Sequence, residues 1–267
     1  MSKGLLIDVS KCIDCNVCTV GCKDEYYENS YLPYSQPQPE TGQFWIKVNV
    51  VERGKIPKLK VAPIPLPCMH CDDAPCVKAA TGGAVYKRKD GIVIIDPVKS
   101  VGQKQIVGSC PYGVVYWNEQ LNIPQKCTLC AHRLDAGQQP KCVLSCPTGA
   151  LMYGEFETLS KTEGAEPLYP NYGAKPRVYY IGLPKTFIAG ALADSKTGDC
   201  LAGVEVTAKD TATGKTYTTN SDTWGDFWLD GLEAKKTYEV SFSRAGTVVK
   251  TQSVTPQADT DLGDITL

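Results

Sequence analysis

No apolar run in this chain approaches the roughly 20 residues needed to cross a bilayer as a helix. The stretch Leu5-Leu6-Ile7 near the start is far too short for a secretory leader, so the chain is expected to begin life in the cytoplasm. Passage elsewhere with a signal-bearing partner is compatible with that. Neither sign of charge is in excess: 28 basic side chains face 29 acidic ones, a formal net charge of −1. Nothing in that balance attracts nucleic acid or an anionic membrane surface. A serine–histidine–acid set, a phosphate loop and a dinucleotide fingerprint are all missing, so no catalytic constellation is expected on this chain. Cysteine is almost absent after Cys146, where only Cys200 remains. What remains is an ordinary globular composition, 42% hydrophobic and 21% charged over 267 residues, enough for one large domain or two smaller ones.

The other twelve of thirteen cysteines lie between Cys12 and Cys146. In a cytosolic chain, cysteines at such short spacings read as metal ligands rather than disulfides. The first group is Cys12-x2-Cys15-x2-Cys18-x3-Cys22, the run of bacterial ferredoxins. Cys68-x2-Cys71-x4-Cys76 follows, then Cys110 alone in Cys110-Pro111-Tyr112-Gly113. The last is Cys127-x2-Cys130-x11-Cys142-x3-Cys146, closed by Pro147-Thr148-Gly149-Ala150.

Comparing the chain with itself explains the lone Cys110. A shift of 88 lays Ile7-Asp8 on Ile95-Asp96, Lys11 on Lys99 and Cys22 on Cys110. The same shift lays Cys12, Cys15 and Cys18 on Ser100, Gln103 and Ile106. Likewise Cys68 and Cys71 match Cys127 and Cys130 at an offset of 59, and Cys76 matches Cys142 at 66, which places Ala80 opposite Cys146. In two-cluster ferredoxins the fourth cysteine of each run ligates the other run's cluster. Applied here, that exchange yields three complete quartets: Cys12, Cys15, Cys18 and Cys146 (A); Cys22, Cys127, Cys130 and Cys142 (B); Cys68, Cys71, Cys76 and Cys110 (C). A fourth site would need cysteines at Ala80, Ser100, Gln103 and Ile106, and all four are gone. Random decay would leave half-ligated sites. One site has instead been removed whole, and three 4Fe-4S clusters are expected.

Iron–sulfur cubes need four soft thiolates converging from two parts of the chain, with backbone N–H groups turned toward the sulfurs. Structural zinc is the competing assignment, but three-cysteine runs with a remote fourth suit cubanes better than zinc ribbons. His70 and His132 stand beside ligands and are expected to hydrogen-bond around the sites rather than to ligate. Cys200 is expected to pack as a small core hydrophobe.

The fold class expected is α+β: a double ferredoxin-like 4Fe-4S domain over 1–155, a linker over 156–186 and a small antiparallel β-sandwich over 187–267. Short strands are expected over 5–8, 84–87, 92–96, 114–117 and 151–153. The proline- and tyrosine-rich stretch from about 24 to 66 reads as an insertion better placed to touch a partner than to form an independent core. In the linker, Pro167, Pro170, Gly173, Pro176 and Pro184 break any long element. Beyond it, alternation such as Tyr238-Glu239-Val240-Ser241-Phe242, with turn signals every ten or so residues, marks the sandwich.

The four-motif arrangement resembles the iron–sulfur subunits of molybdopterin oxidoreductases of the dimethyl-sulfoxide-reductase family, over 1 to about 155. Within it, Pro67-Cys68-Met69-His70-Cys71, Gln125-Lys126-Cys127-Thr128 and Lys175-Pro176-Arg177-Val178-Tyr179-Tyr180 are similar to the small subunits of pyrogallol–phloroglucinol transhydroxylases. The tail, with Asp222-Thr223-Trp224-Gly225-Asp226-Phe227, resembles carboxypeptidase-regulatory or Cna-B-like domains. The resemblance implies a large catalytic partner carrying molybdopterin guanine dinucleotide with molybdenum or tungsten, in a heterodimer or a multimer of heterodimers. It implies an electron-transfer role in hydroxylating, dehydroxylating or transhydroxylating a phenolic substrate. The A and B pair would lie nearer that partner, so the lost site falls at the far end. A respiratory reductase of the same family, or a free polyferredoxin, are the alternatives.

Overall fold

Leu5, Leu6 and Ile7 are buried on both faces of strand β1 (Lys3–Asp8), as an interior strand requires. The computed structural model describes residues 2–267, in one unit of Met1–Val50 with Pro63–Leu183 and another of Val51–Ala62 with Pro184–Leu267. In the first unit β1 leads to helix α1 (Val17–Tyr26) and a long hairpin, β2 (Ile46–Lys55) and β3 (Lys58–Pro67). Next come α2 (Pro75–Ala79), the small hairpin β4 (Val85–Lys87) and β5 (Val93–Ile95), α3 (Gln105–Gly108), and a second small hairpin, β6 (Tyr116–Asn118) and β7 (Ile123–Gln125). The unit closes with α4 (Ala131–Asp135), α5 (Lys141–Ser145), β8 (Leu151–Glu155), α6 (Phe156–Leu159), β9 (Glu166–Pro167) and β10 (Val178–Ile181). One sheet, in the order β8-β1-β10-β9, joins its two ends. Among the described residues no helix is long and apolar enough to cross a membrane.

The offsets found in the sequence recur in the elements. Helix α1 begins at Val17 and α3 at Gln105, 88 residues on. Helices α2 and α5 span Pro75–Ala79 and Lys141–Ser145, 66 apart at both ends. Ile7 pairs with Leu151 between β1 and β8, and Ile95 pairs with Val85 between β5 and β4, which is the same pair under the two shifts. Asp8 accepts from the Ser10 N–H at 3.1 Å, and Asp96 accepts from those of Val98 and Lys99 at 2.9 and 3.0 Å, each closing the turn after its strand. The unit is therefore two ferredoxin-like halves that share a plan, down to the turn that launches each first helix.

One stretch departs from expectation. The 156–186 segment, expected as a linker, instead supplies α6, β9 and β10, and β10 pairs in parallel with β1 from Leu5↔Val178 to Asp8↔Ile181. Tyr180 is buried there and donates its hydroxyl to the Pro65 carbonyl at 2.9 Å. A four-residue strand between Pro176 and Gly182 has too short a pattern to be seen without its distant partner. The insertion forms no core of its own but adds to that of the first unit. Trp45 is buried against Tyr26 with ring centroids 4.5 Å apart, and the hairpin of β2 and β3 follows directly. A smaller difference is that β6 starts at Tyr116, because Val114 and Val115 are buried ahead of it outside any strand.

The outer part of that hairpin, Val51–Ala62, belongs to the second unit. Its Gly54 has φ +88°, and a Cβ there would stand 2.2 Å from the Lys58 carbonyl oxygen, so only glycine fits. Arg53 beside it donates to both carboxylate oxygens of Asp259, at 2.8 and 3.0 Å. The remaining strands are β11 (Thr186–Ala193), β12 (Glu205–Asp210), β13 (Thr216–Asn220), β14 (Asp226–Leu232), β15 (Tyr238–Arg244), β16 (Thr247–Val254) and β17 (Thr260–Thr266). They form sheets β14-β11-β17 and β13-β12-β15-β16. Alternation turns Tyr238, Val240 and Phe242 of one sheet inward onto Ile188, Phe227 and Leu229 of the other. One pairing, β11 with β17, is parallel, where an antiparallel sandwich was expected. Phe227 meets Phe242 edge-on at 5.7 Å, and Phe227→Ala is expected to cost about 3–5 kcal/mol. Calorimetry on the full chain would register this as a lowered midpoint for the sandwich transition. An unchanged midpoint would show that this core does not limit its stability.

Candidate metal centres

Each cysteine run is shaped by backbone that must curl. After β1, the Cys12 N–H donates to the Val9 carbonyl at 3.2 Å, and Asp14 and Asn16 then take left-handed φ values of 56° and 55°. Asparagine and aspartate tolerate that conformation best among residues with a Cβ. The loop turns Cys12, Cys15 and Cys18 to one side, while Cys22 leaves α1 one turn later toward a different group. In the second and fourth motifs the curl falls on His70 and Leu129, 59 apart, with φ 45° and 53°. Their N–H groups donate to the sulfurs of Cys68 and Cys127 at 3.5 and 3.3 Å.

The structure brings the expected quartets together. Cys12, Cys15, Cys18 and Cys146 line one cavity with Ile13 and Pro147. Cys68, Cys71, Cys76 and Cys110 line another. Cys22, Cys127, Cys130 and Cys142 are all buried, and Cys142 is pushed well up first by burial and then by the sulfurs of Cys130, Cys127 and Cys22. Among the described residues, no three His, Cys, Asp or Glu side chains converge closely enough to hold a single metal ion.

The Cys142 thiol of B feels the sulfur of Cys18 of A, and the Cys127 thiol of B feels that of Cys68 of C, so B neighbours both other quartets. Burial dominates the thiols: it pushes Cys18 and Cys76 up to about 11 and Cys71 and Cys127 up to about 12. Cys146 moves the other way. Burial pushes it up as well, but hydrogen bonds from the Thr148 hydroxyl and from the N–H groups of Leu151, Thr148 and Ala150 bring it below the ordinary thiol value. Cys110 sits in the matching loop and receives N–H groups from Val114, Tyr112 and Gly113, though burial outweighs them. Gly149 and Gly113, with φ 67° and 63°, make the tight turn in each loop.

These surroundings fit an iron–sulfur group. The donors are sulfur only, N–H groups are directed at the sulfurs, and one buried ammonium has no carboxylate partner. That ammonium is Lys126, buried in the lining of the Cys68 cavity. Its burial is costly unless negative charge stands nearby, which four thiolates round a cluster would provide. The segment Gln125-Lys126-Cys127-Thr128 carries part of the family resemblance, but residue order did not show that its lysine is buried.

The four vacated positions are filled in another way. Ser100 and Ile106 are fully buried, and the Gln103 side chain accepts from the Thr81 N–H at 2.9 Å and donates to the Thr81 and Lys99 carbonyls at 3.3 and 2.9 Å. An amide clamp beside Ala80 stands where a metal would have joined the same two segments.

His70 is buried, and its Nδ1 accepts from the Val93 N–H at 3.1 Å. Burial first, and then the neighbouring Lys126 and Lys87, hold it well below the usual histidine range, so it is neutral. His132 stacks on Tyr31 at 3.6 Å and meets the Glu25 carboxylate through Nε2 at 2.9 Å. Cys200 overturns its expectation. It is exposed, on a two-residue bridge to Ala193, because the turn after β11 carries it outside the sandwich core.

The 4Fe-4S dicluster domain family matches residues 59–156, and the carboxypeptidase regulatory-like domain family matches 188–267. The pyrogallol hydroxytransferase small subunit of Pelobacter acidigallici is 39% identical over 98% of this chain and 98% of its own. A tetrathionate reductase subunit of Salmonella typhimurium is 34% identical over 69% of this chain and 74% of its own. The arsenate respiratory reductase iron-sulfur subunit of a Shewanella species is 29% identical over 68% of this chain and 96% of its own. Among solved structures, the major pilin subunit of Bacillus cereus overlaps 33% of this chain and 31% of its own at 20% identity and a TM-score of 0.26, too slight a likeness to bear on function. The chain belongs to the family of iron–sulfur subunits of dimethyl-sulfoxide-reductase-type molybdopterin oxidoreductases, the family of the pyrogallol hydroxytransferase small subunit.

Proposed function

We propose that this chain holds three 4Fe-4S clusters in quartets A, B and C, and relays electrons for a large molybdopterin subunit that hydroxylates, dehydroxylates or transhydroxylates a phenolic aromatic. The observation that carries the phenolic reading is the extent of likeness. The pyrogallol hydroxytransferase small subunit matches across 98% of the chain, C-terminal unit included, whereas the tetrathionate and arsenate reductase subunits match 69% and 68%. That B neighbours both A and C supports a relay. The amide clamp at Gln103 supports three clusters rather than four. The large partner is expected to be seated at the A end, because the lost site shares its two motifs with C.

Anaerobic purification of the native complex tests this, with iron, sulfide, zinc, molybdenum and tungsten analysis. About twelve irons per copy of this chain are expected, together with molybdenum or tungsten in a co-purifying large subunit. The complex is then expected to turn over a polyhydroxylated benzene. Zinc with little iron would sink the cluster assignment, and twelve irons in a chain that elutes alone would make it a free polyferredoxin. Turnover of an inorganic oxyanion and of no phenol would move it to the respiratory reductases.

A further inference from the structure

Lys126 is 2% exposed and lines the Cys68, Cys71, Cys76 and Cys110 cavity as its sole charged side chain. Its ammonium donates to the carbonyls of Val93 at 2.5 Å and Cys127 at 3.1 Å, and no carboxylate pairs with it among the described residues. It lines the C cavity, while the Cys127 whose carbonyl it meets belongs to B, so it stands beside C and next to B. Lys87 and Arg177, the other cations nearby, share the Asp72 carboxylate, so Lys126 is the one with no carboxylate beside it.

We propose that Lys126 sets the reduction potential of the C site, as a positive charge buried beside it and shared in part with B. This rests on the reading that the quartets hold clusters. Accepting one electron makes a site one unit more negative, with no change in its ligands. A positive charge held at short range in a medium of low dielectric therefore stabilises the reduced form more than the oxidised form. Two carbonyl hydrogen bonds fix its position, so little reorganisation is needed when the electron arrives. Lys126 is a positioning charge, not a ligand: its two carbonyl bonds leave the four cysteines to the iron.

The test is potentiometric titration of the whole complex, followed by electron paramagnetic resonance, for wild type, Lys126→Met and Lys126→Arg, with iron measured in each. The Met variant is expected to keep its iron while the C signal becomes at least tenfold harder to reduce at a given potential, about 59 mV lower for a one-electron couple. The B signal should move less, the A signal should stay put, and the Arg variant should return C toward wild type. Full iron with an unmoved C midpoint overturns the inference. So does an equal shift at all three sites, which would report a general loosening. Loss of iron from both variants also overturns it, by making shape rather than charge the requirement. A wild-type complex without iron fails the underlying cluster assignment instead.

Discussion

Replacing Cys110 with alanine should remove one cluster whole and leave two intact, lowering iron from about twelve to about eight per chain. The reason lies in the exchange of ligands between motifs. Cys110 comes from a run whose first three ligand positions are Ser100, Gln103 and Ile106, so it has no local partners and can serve only the cavity it shares with Cys68, Cys71 and Cys76. Its loop directs the N–H groups of Val114, Tyr112 and Gly113 at the sulfur, which prepares a thiolate there and nowhere else in that run. Quartets A and B draw no ligand from residues 68–110 and should keep their iron. Iron analysis with the resonance spectrum would decide. An unchanged iron content would remove Cys110 from the ligand set, and loss of every cluster would mean that filling C is coupled to folding of the whole unit.

Conversely, restoring cysteine at Ala80, Ser100, Gln103 and Ile106 together should raise iron to about sixteen per chain. The backbone for that fourth site is still in place. Helix α3 starts 88 residues after α1, and the Ile95↔Val85 pair repeats Ile7↔Leu151. Gln103 reaches Thr81, the neighbour of Ala80, so the remote fourth position already lies beside the run it would complete. Removing the clamp forfeits three hydrogen bonds, each worth about 1 kcal/mol, which metal ligation would more than replace. Gln103→Cys alone should add no iron, since three ligands would still be missing. A quadruple variant that folds, keeps its wild-type iron and gains none would show that the loop geometry decayed along with the ligands.

Much of this was legible from residue order. The cysteine runs, the vacant positions of the third run and the pair of half-domains follow from spacing, because short loops repeated at fixed offsets leave their mark on residue order. The sandwich is legible too, since half-buried strands must alternate. What spacing could not reach is anything whose partner lies far along the chain. Val178-Tyr179-Tyr180-Ile181 becomes a strand only because β1 is there to pair with it, more than 170 residues earlier. Trp45 becomes core only against Tyr26, and the hairpin tip joins the second unit only through contacts such as Arg53 with Asp259. Cys200 is exposed although its residue type favours burial. Lys126 is buried although its type favours water, and only tertiary structure shows it set beside C and next to B. Ligand spacing is a local demand made by the metal and is written locally, whereas burial is settled by which distant segments close over a residue.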